Sequence, residues 1–286
     1  MNSISTASNT VAPTQFVMAG DNTYAYRQFG SGSGLPLLFL QHFTGTLDNW
    51  DFAVTDPLAR DRQVILFESP GIGRSNGNVP ETVVGMADHA LKFLDVLGLT
   101  RMDVLGFSLG GMVAQVMALK RPALLRRIIL AGTGPAGGVG TAMDKPQLLK
   151  IFGDQKMPSD EKLLKLFFET TETSQSAGRQ FVGRLARRTE DKDTPTTAEA
   201  AGAQLVAMAA WARSGGEDHT DLRQIAQPVL VTNGNHDIMI PTINSFTLSE
   251  HLPNAQLIIY PDSGHGALFQ HAGAFASHVS EFLDRK

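Results

Sequence analysis

The 286-residue chain contains no cysteine, which excludes disulfides, thiolate metal sites and a cysteine nucleophile. A charge excess of one sign is also missing. There are 24 Lys and Arg against 28 Asp and Glu, a formal net charge of −4, with no long block of like charge. Gripping a phosphate backbone takes a basic surface, so nucleic acid is not an expected partner. No apolar run approaches the roughly 20 residues that span a bilayer; the densest stretches are short, such as residues 35–40. A membrane partner is therefore not expected either. Residues 1–13 are polar and rich in Ser, Thr and Asn, without the basic start and apolar core of a signal peptide. They are read as part of a flexible tail over residues 1–14, and the cytoplasm is the simplest compartment.

What the chain does have is an alternation of short apolar runs and helical patterns. Residues 15–19 and 23–29 flank Gly20-Asp21-Asn22 and read as a hairpin. Residues 36–40, 64–67, 127–131, 228–232 and 256–260, and a run that ends at Val104 and Leu105, are apolar enough for buried strands. Helical periodicity fills several of the gaps, notably 81–97 and 109–121. Strand, helix, strand repeated in this way predicts an α/β fold, a mostly parallel sheet flanked by helices. Residues 134–216 break the rhythm with about four helices and no convincing strand, the last opened by Thr194-Pro195. They are read as an all-helical cap inserted in a core made of residues 15–133 and 217–286.

The chemistry gathers where strands end. Gly106-x-Ser108-x-Gly110 lies between a buried strand and a helical pattern. A sharp strand-to-helix turn needs small residues at both flanks and lifts Ser108 to its apex. The free N–H of Leu109, at the helix start, would face a developing oxyanion. Asp237 and His265 follow the last two strands. A neutral imidazole at His265 would take the Ser108 proton, and the Asp237 carboxylate would fix its tautomer. Asp262 is read instead as a turn former, and His236 as pointing away from the site. Gly132-x-Gly134-x-x-Gly137 also matches a dinucleotide fingerprint, but no helix or suitably placed acid follows, so no cofactor is expected, and no metal.

The order Ser108, Asp237, His265, with Gly106 to Gly111, Pro70-Gly71-Ile72-Gly73-Arg74-Ser75, Gly234 with Asp237 and Pro241, and Gly264-His265-Gly266, resembles the α/β-hydrolase superfamily in its cap-bearing branch. That resemblance implies esterase, lactonase or C–C bond hydrolase activity. It also implies that Phe43 supplies the second oxyanion N–H, although family members commonly read His-Gly where this chain has Gln41-His42. Glu68 stands where they often carry Asp and is read as structural. The expected function is a serine hydrolase that cleaves a small or medium ester or lactone through an acyl-enzyme. The alternatives are a C–C hydrolase of vinylogous diketones, a cofactor-free haloperoxidase or perhydrolase, and a slow-turnover ligand sensor. His42, Phe107, Met239 and Trp211 are candidate substrate contacts. A small ester-like molecule is the expected partner, with a homo-oligomer possible.

Overall fold

The computed structural model describes residues 8–216 and 218–285. Eight strands form one sheet: β1 (Thr14–Ala19), β2 (Asn22–Phe29), β3 (Gly34–Leu40), β4 (Arg62–Phe67), β5 (Met102–Phe107), β6 (Leu125–Ala131), β7 (Val229–Gly234) and β8 (Ala255–Tyr260). Their spatial order is β1-β2-β4-β3-β5-β6-β7-β8. Only the β1–β2 and β2–β4 pairs are antiparallel; β4, β3, β5, β6, β7 and β8 run parallel. The central strands are buried along their length, as a sheet covered on both faces requires.

Helices α1 (Phe52–Leu58), α2 (Val83–Val96), α3 (Leu109–Lys120), α8 (Ile243–His251), α9 (Ala267–Gln270) and α10 (Ala272–Asp284) accompany the sheet. Between β6 and β7 lie four more: α4 (Pro146–Gly153), α5 (Ser159–Phe167), α6 (Glu172–Leu185) and α7 (Ala198–Arg213). Register explains why this fold makes a site. Leu40 is level with Gly106, Phe107 with Ala131, Ala131 with Thr232, and Thr232 with Ile258. Four parallel strands and their neighbour therefore deliver their following loops to one rim, where ligands of open α/β sheets collect.

Three local expectations need correction. Helix α7 is capped by Thr197, whose hydroxyl accepts the Ala200 N–H at 3.1 Å, not opened at Thr194-Pro195. One more Thr three residues later gave the better cap, since its side chain reaches a free helix-end donor. The C-terminal helix is split at His271 into α9 and α10. The expected tail is also shorter than 1–14. Residues 1–7 lie outside the described residues, but Ala12 is fully buried and Asn9 donates from Nδ2 to the Trp50 carbonyl at 2.7 Å. Arg188, just past α6, donates to the Asn9 and Ala12 carbonyls at 3.0 Å each. Polar composition cannot reveal such bonds, because the partner is almost 180 residues away.

Arg188 belongs to a charged weld between the helical insertion and the sheet. Arg27, fully buried on β2, pairs with Asp48 at 2.6 Å and Asp193 at 3.0 Å. Asp48 and Asp193 each accept the other's backbone N–H, at 2.9 and 2.7 Å. Asp191 accepts the Thr14 N–H at 2.8 Å and pairs with Arg74 and Arg188. A second anchor is the Arg184–Asp51 pair, 2.7 Å, in which Asp51 is buried and caps α1.

Glu68, at the end of β4, is buried beside this weld and accepts the N–H groups of Leu47 and Arg74 at 3.2 and 2.7 Å. Burial, reinforced by the nearby Asp193 charge, pushes its carboxyl up to about 8. A raised carboxyl favours the fold while it keeps its proton, and that contribution fades as pH climbs from the ordinary carboxylate range through 8. Glutamine is neutral at every pH, so from pH 5 to 9 the melting temperature of the wild type should fall relative to that of Glu68→Gln. The relative fall should amount to several degrees, at roughly 2–4 °C per kcal/mol. A difference independent of pH would refute the assignment.

Candidate active site

The turn from β5 into α3 holds Ser108 at φ 55° and ψ −117°. Such a conformation costs about 1–3 kcal/mol and persists only where the surroundings impose it. They do so here through backbone crossings too tight for side chains. A Cβ on Gly106 would come 2.3 Å from the Gly110 carbonyl oxygen, and one on Gly110 only 2.0 Å from that of Leu40. The Ser108 N–H donates to the Ala131 carbonyl at 2.9 Å, and its carbonyl accepts from Thr133 Oγ1 at 2.8 Å. Its own Oγ is buried and has no hydrogen-bond partner among the described residues. The hydroxyl thus carries no structural duty.

His265 and Asp237 meet from the loops after β8 and β7. His265 Nδ1 lies 2.7 Å from Asp237 Oδ2, and both side chains are fully buried. The other carboxylate oxygen accepts the N–H groups of Met239 and Ile240 at 2.8 and 2.9 Å. An oxygen held by two backbone donors cannot swing, so Asp237 fixes the imidazole in turn. The loops are tied together by the His236 N–H, which donates to the Ser263 carbonyl at 3.1 Å. His265 Nε2 is left buried and without a partner. It makes no hydrogen bond to Ser108, a contact that in unliganded hydrolytic sites often closes only with substrate. The His265 ring nevertheless packs 4.9 Å from that of Phe107, the residue before Ser108.

Neither the Phe43 N–H nor the Leu109 N–H donates to another group among the described residues. The loop carrying Phe43 is set by the insertion: the Thr44 N–H donates to Gln204 Oε1 and its carbonyl accepts from Thr196 Oγ1, both at 2.8 Å. Thr44, at φ 60°, takes the left-handed turn of this loop, so the position of His42 has no need of glycine.

Below this loop is a cavity of about 40 Å³, lined by Gln41, His42, Glu68, Leu109 and Gly110 of the core and by Gln204 of α7. Of the residues expected to touch substrate, His42 lines it. Phe107, Met239 and Trp211 do not. Phe107 supports His265 from below; Met239 donates its N–H to Asp237; Trp211 donates from its indole to the Gly134 carbonyl at 3.3 Å. Glu68 and Gln204 were not foreseen as lining groups. Nothing in their sequence surroundings distinguishes them, since only the folded insertion brings both to one cavity. Asp262 accepts a hydrogen bond from Thr171 Oγ1 at 2.7 Å, and His236 is largely exposed, 3.7 Å from Glu169. The Gly132 to Gly137 stretch runs into turns, with α4 starting only at Pro146. Among the described residues, no helix is long and apolar enough to cross a membrane.

Residues 36–272 match the family model described as the alpha/beta hydrolase fold. An alpha/beta hydrolase fold protein from Chitinophaga pinensis superposes with a TM-score of 0.93 at 39% identity, over 98% of this chain and 100% of that one. The 2-hydroxymuconate semialdehyde hydrolase of Pseudomonas sp. (strain CF600) is 27% identical over 272 residues, 88% of each chain. The poly(3-hydroxyalkanoate) depolymerase of Ectopseudomonas oleovorans is 29% identical over 239 residues, 82% of this chain and 80% of the relative. With the parallel sheet, the strained turn and the family match together, the chain belongs to the α/β-hydrolase fold family and is a hydrolase.

Proposed function

We propose that the protein is a serine hydrolase that cleaves a small or medium carboxylic ester or lactone. The observation that carries this reading is the Ser108 hydroxyl, strained into a turn and structurally idle, at the same sheet rim as the Asp237-held His265. Ser108 Oγ attacks the carbonyl carbon while its proton passes to His265 Nε2. The tetrahedral oxyanion is received by the N–H groups of Phe43 and Leu109. Collapse expels the alcohol, which takes the proton from His265 and leaves an acyl-enzyme. Water then repeats the sequence through the same imidazole and releases the acid. Helices α4 to α7 act as the cap, and substrate enters when they shift, because Ser108 and His265 are each only 1% exposed.

The relative named for a muconate semialdehyde acts on a carboxylate-bearing compound by its name. No Lys or Arg lines the cavity here, and Glu68 adds an acid to it. The nearby Arg27, Arg184 and Arg188 are all committed to aspartates. A buried carboxylate without a cation is costly, which favours a neutral ester over C–C cleavage of an anionic dienone. The deciding experiment is labelling with a fluorophosphonate. A single adduct on Ser108, located by mass spectrometry, together with turnover of neutral esters exceeding that of anionic ring-cleavage dienones, is the expected result. No adduct, or one on another serine, would overturn the reading.

A further inference from the structure

His42 is a buried polar side chain of the cavity with a free valence that nothing in the mechanism uses. Its Nδ1 lies 2.7 Å from the Phe43 carbonyl oxygen. A carbonyl only accepts, so Nδ1 carries the hydrogen. Burial, with the neighbouring His265 adding to it against the Phe43 bond, drives the ring down to about 4. It is therefore neutral at physiological pH, and a neutral ring protonated at Nδ1 has a bare lone pair at Nε2. That Nε2 is buried and unpartnered among the described residues. It sits beside Gly45, where an added Cβ would come within 2.8 Å, and His42 and Gly45 both line the cavity.

Most other polar groups of the wall are already engaged. Gln41 spends both ends on Thr46 and the His42 N–H. Gln204 Oε1 is taken by Thr44, and the two Glu68 oxygens by Leu47 and Arg74. Leu40, Phe67, Ile72, Met86 and Val113 supply the apolar part of the wall, with Thr46 and Ser69 among them. Leu109 and Gly110, which follow Ser108 in the chain, line the same space, and the His42 ring packs 5.3 Å from those of Phe107 and Phe167, both of which also pack against His265. An unmet acceptor in an apolar pocket selects for a donor and penalises a ligand without one.

We infer that His42 Nε2 accepts a hydrogen bond from a hydroxyl on the acyl chain, making the enzyme selective for neutral hydroxyacyl esters. This rests on the serine hydrolase reading and names the acyl group that site takes. The test compares kcat/KM for ethyl butanoate with ethyl 2-hydroxybutanoate and ethyl 3-hydroxybutanoate. The wild type should favour at least one hydroxyester by about 10-fold or more, consistent with one well-placed buried hydrogen bond. His42→Phe, which retains an aromatic ring against Phe107 and Phe167, and His42→Leu should bring that ratio to near one. Three results overturn the inference: no preference in the wild type, a preference that survives both variants, or an equal loss on parent and hydroxyester alike. The last would mean that the ring orders the loop or a water. Fluorophosphonate labelling of the same proteins keeps the two readings apart, since an adduct on Ser108 without hydroxyl preference sinks this inference alone.

Discussion

Ser108→Ala should lower kcat on every ester the wild type turns over by about 10⁶-fold, because nucleophile and base act as one unit. The variant should melt at the wild-type temperature or slightly above it. Alanine keeps the Cβ that the strained turn already tolerates, and the lost Oγ has no partner among the described residues. This pairing is what separates a nucleophile from a structural serine. Ser263 shows the contrast: its Oγ donates to the Tyr260 carbonyl at 3.0 Å, so removing it should cost stability before activity. Steady-state kinetics and calorimetry on Ser108→Ala check both halves. Near-normal turnover would remove Ser108 from the mechanism, and an unfolded variant would mean the hydroxyl had a structural task.

Arg27→Met should be the most damaging change outside the site. Methionine has a comparable reach, but it leaves Asp193 without its cation and Asp48 with only Arg188, 3.4 Å away. Breaking a buried ion pair from one side costs about 3–5 kcal/mol, most of it the penalty of the stranded charge. At roughly 2–4 °C per kcal/mol, the melting temperature should fall by about 6–20 °C. If the stranded acids are the cause, adding Asp48→Asn and Asp193→Asn should restore part of the loss. Arg121→Met is the control. Its pair with Asp95 is 2.8 Å long but both partners are more than a third exposed, so the change should stay within about 1 kcal/mol. Equal effects of the two Arg variants would show that the weld contributes nothing special.

Arg27 also illustrates what could not be read from the chain. In sequence it is an arginine in the second strand of a hairpin, and nothing marks the aspartates 21 and 166 residues away as its partners. The same holds for the insertion's grip on the Phe43 loop through Gln204 and Thr196. Both depend on how the four helices settle over the sheet, and side-chain pairings between distant segments leave no periodic trace. The start of α7 at Thr197 was missed for a smaller reason: three Thr and one Pro within four residues offered several starts, and packing chose among them.

The sequence by itself determined the sheet, its mostly parallel sense and the glycine-flanked turn at Ser108, because these rest on local constraints: continuous apolar runs, period, and backbone crossings that only glycine allows. It also put Asp237 and His265 at strand ends in a usable order. Tertiary structure alone decided that His265 and Asp237 join at 2.7 Å, that Glu68 and Gln204 share a cavity with His42, and that no Lys or Arg lines this cavity. Those facts depend on which loops face each other across the rim. Burial sets the charge state and the unmet valences there, and burial is a property of the assembled molecule.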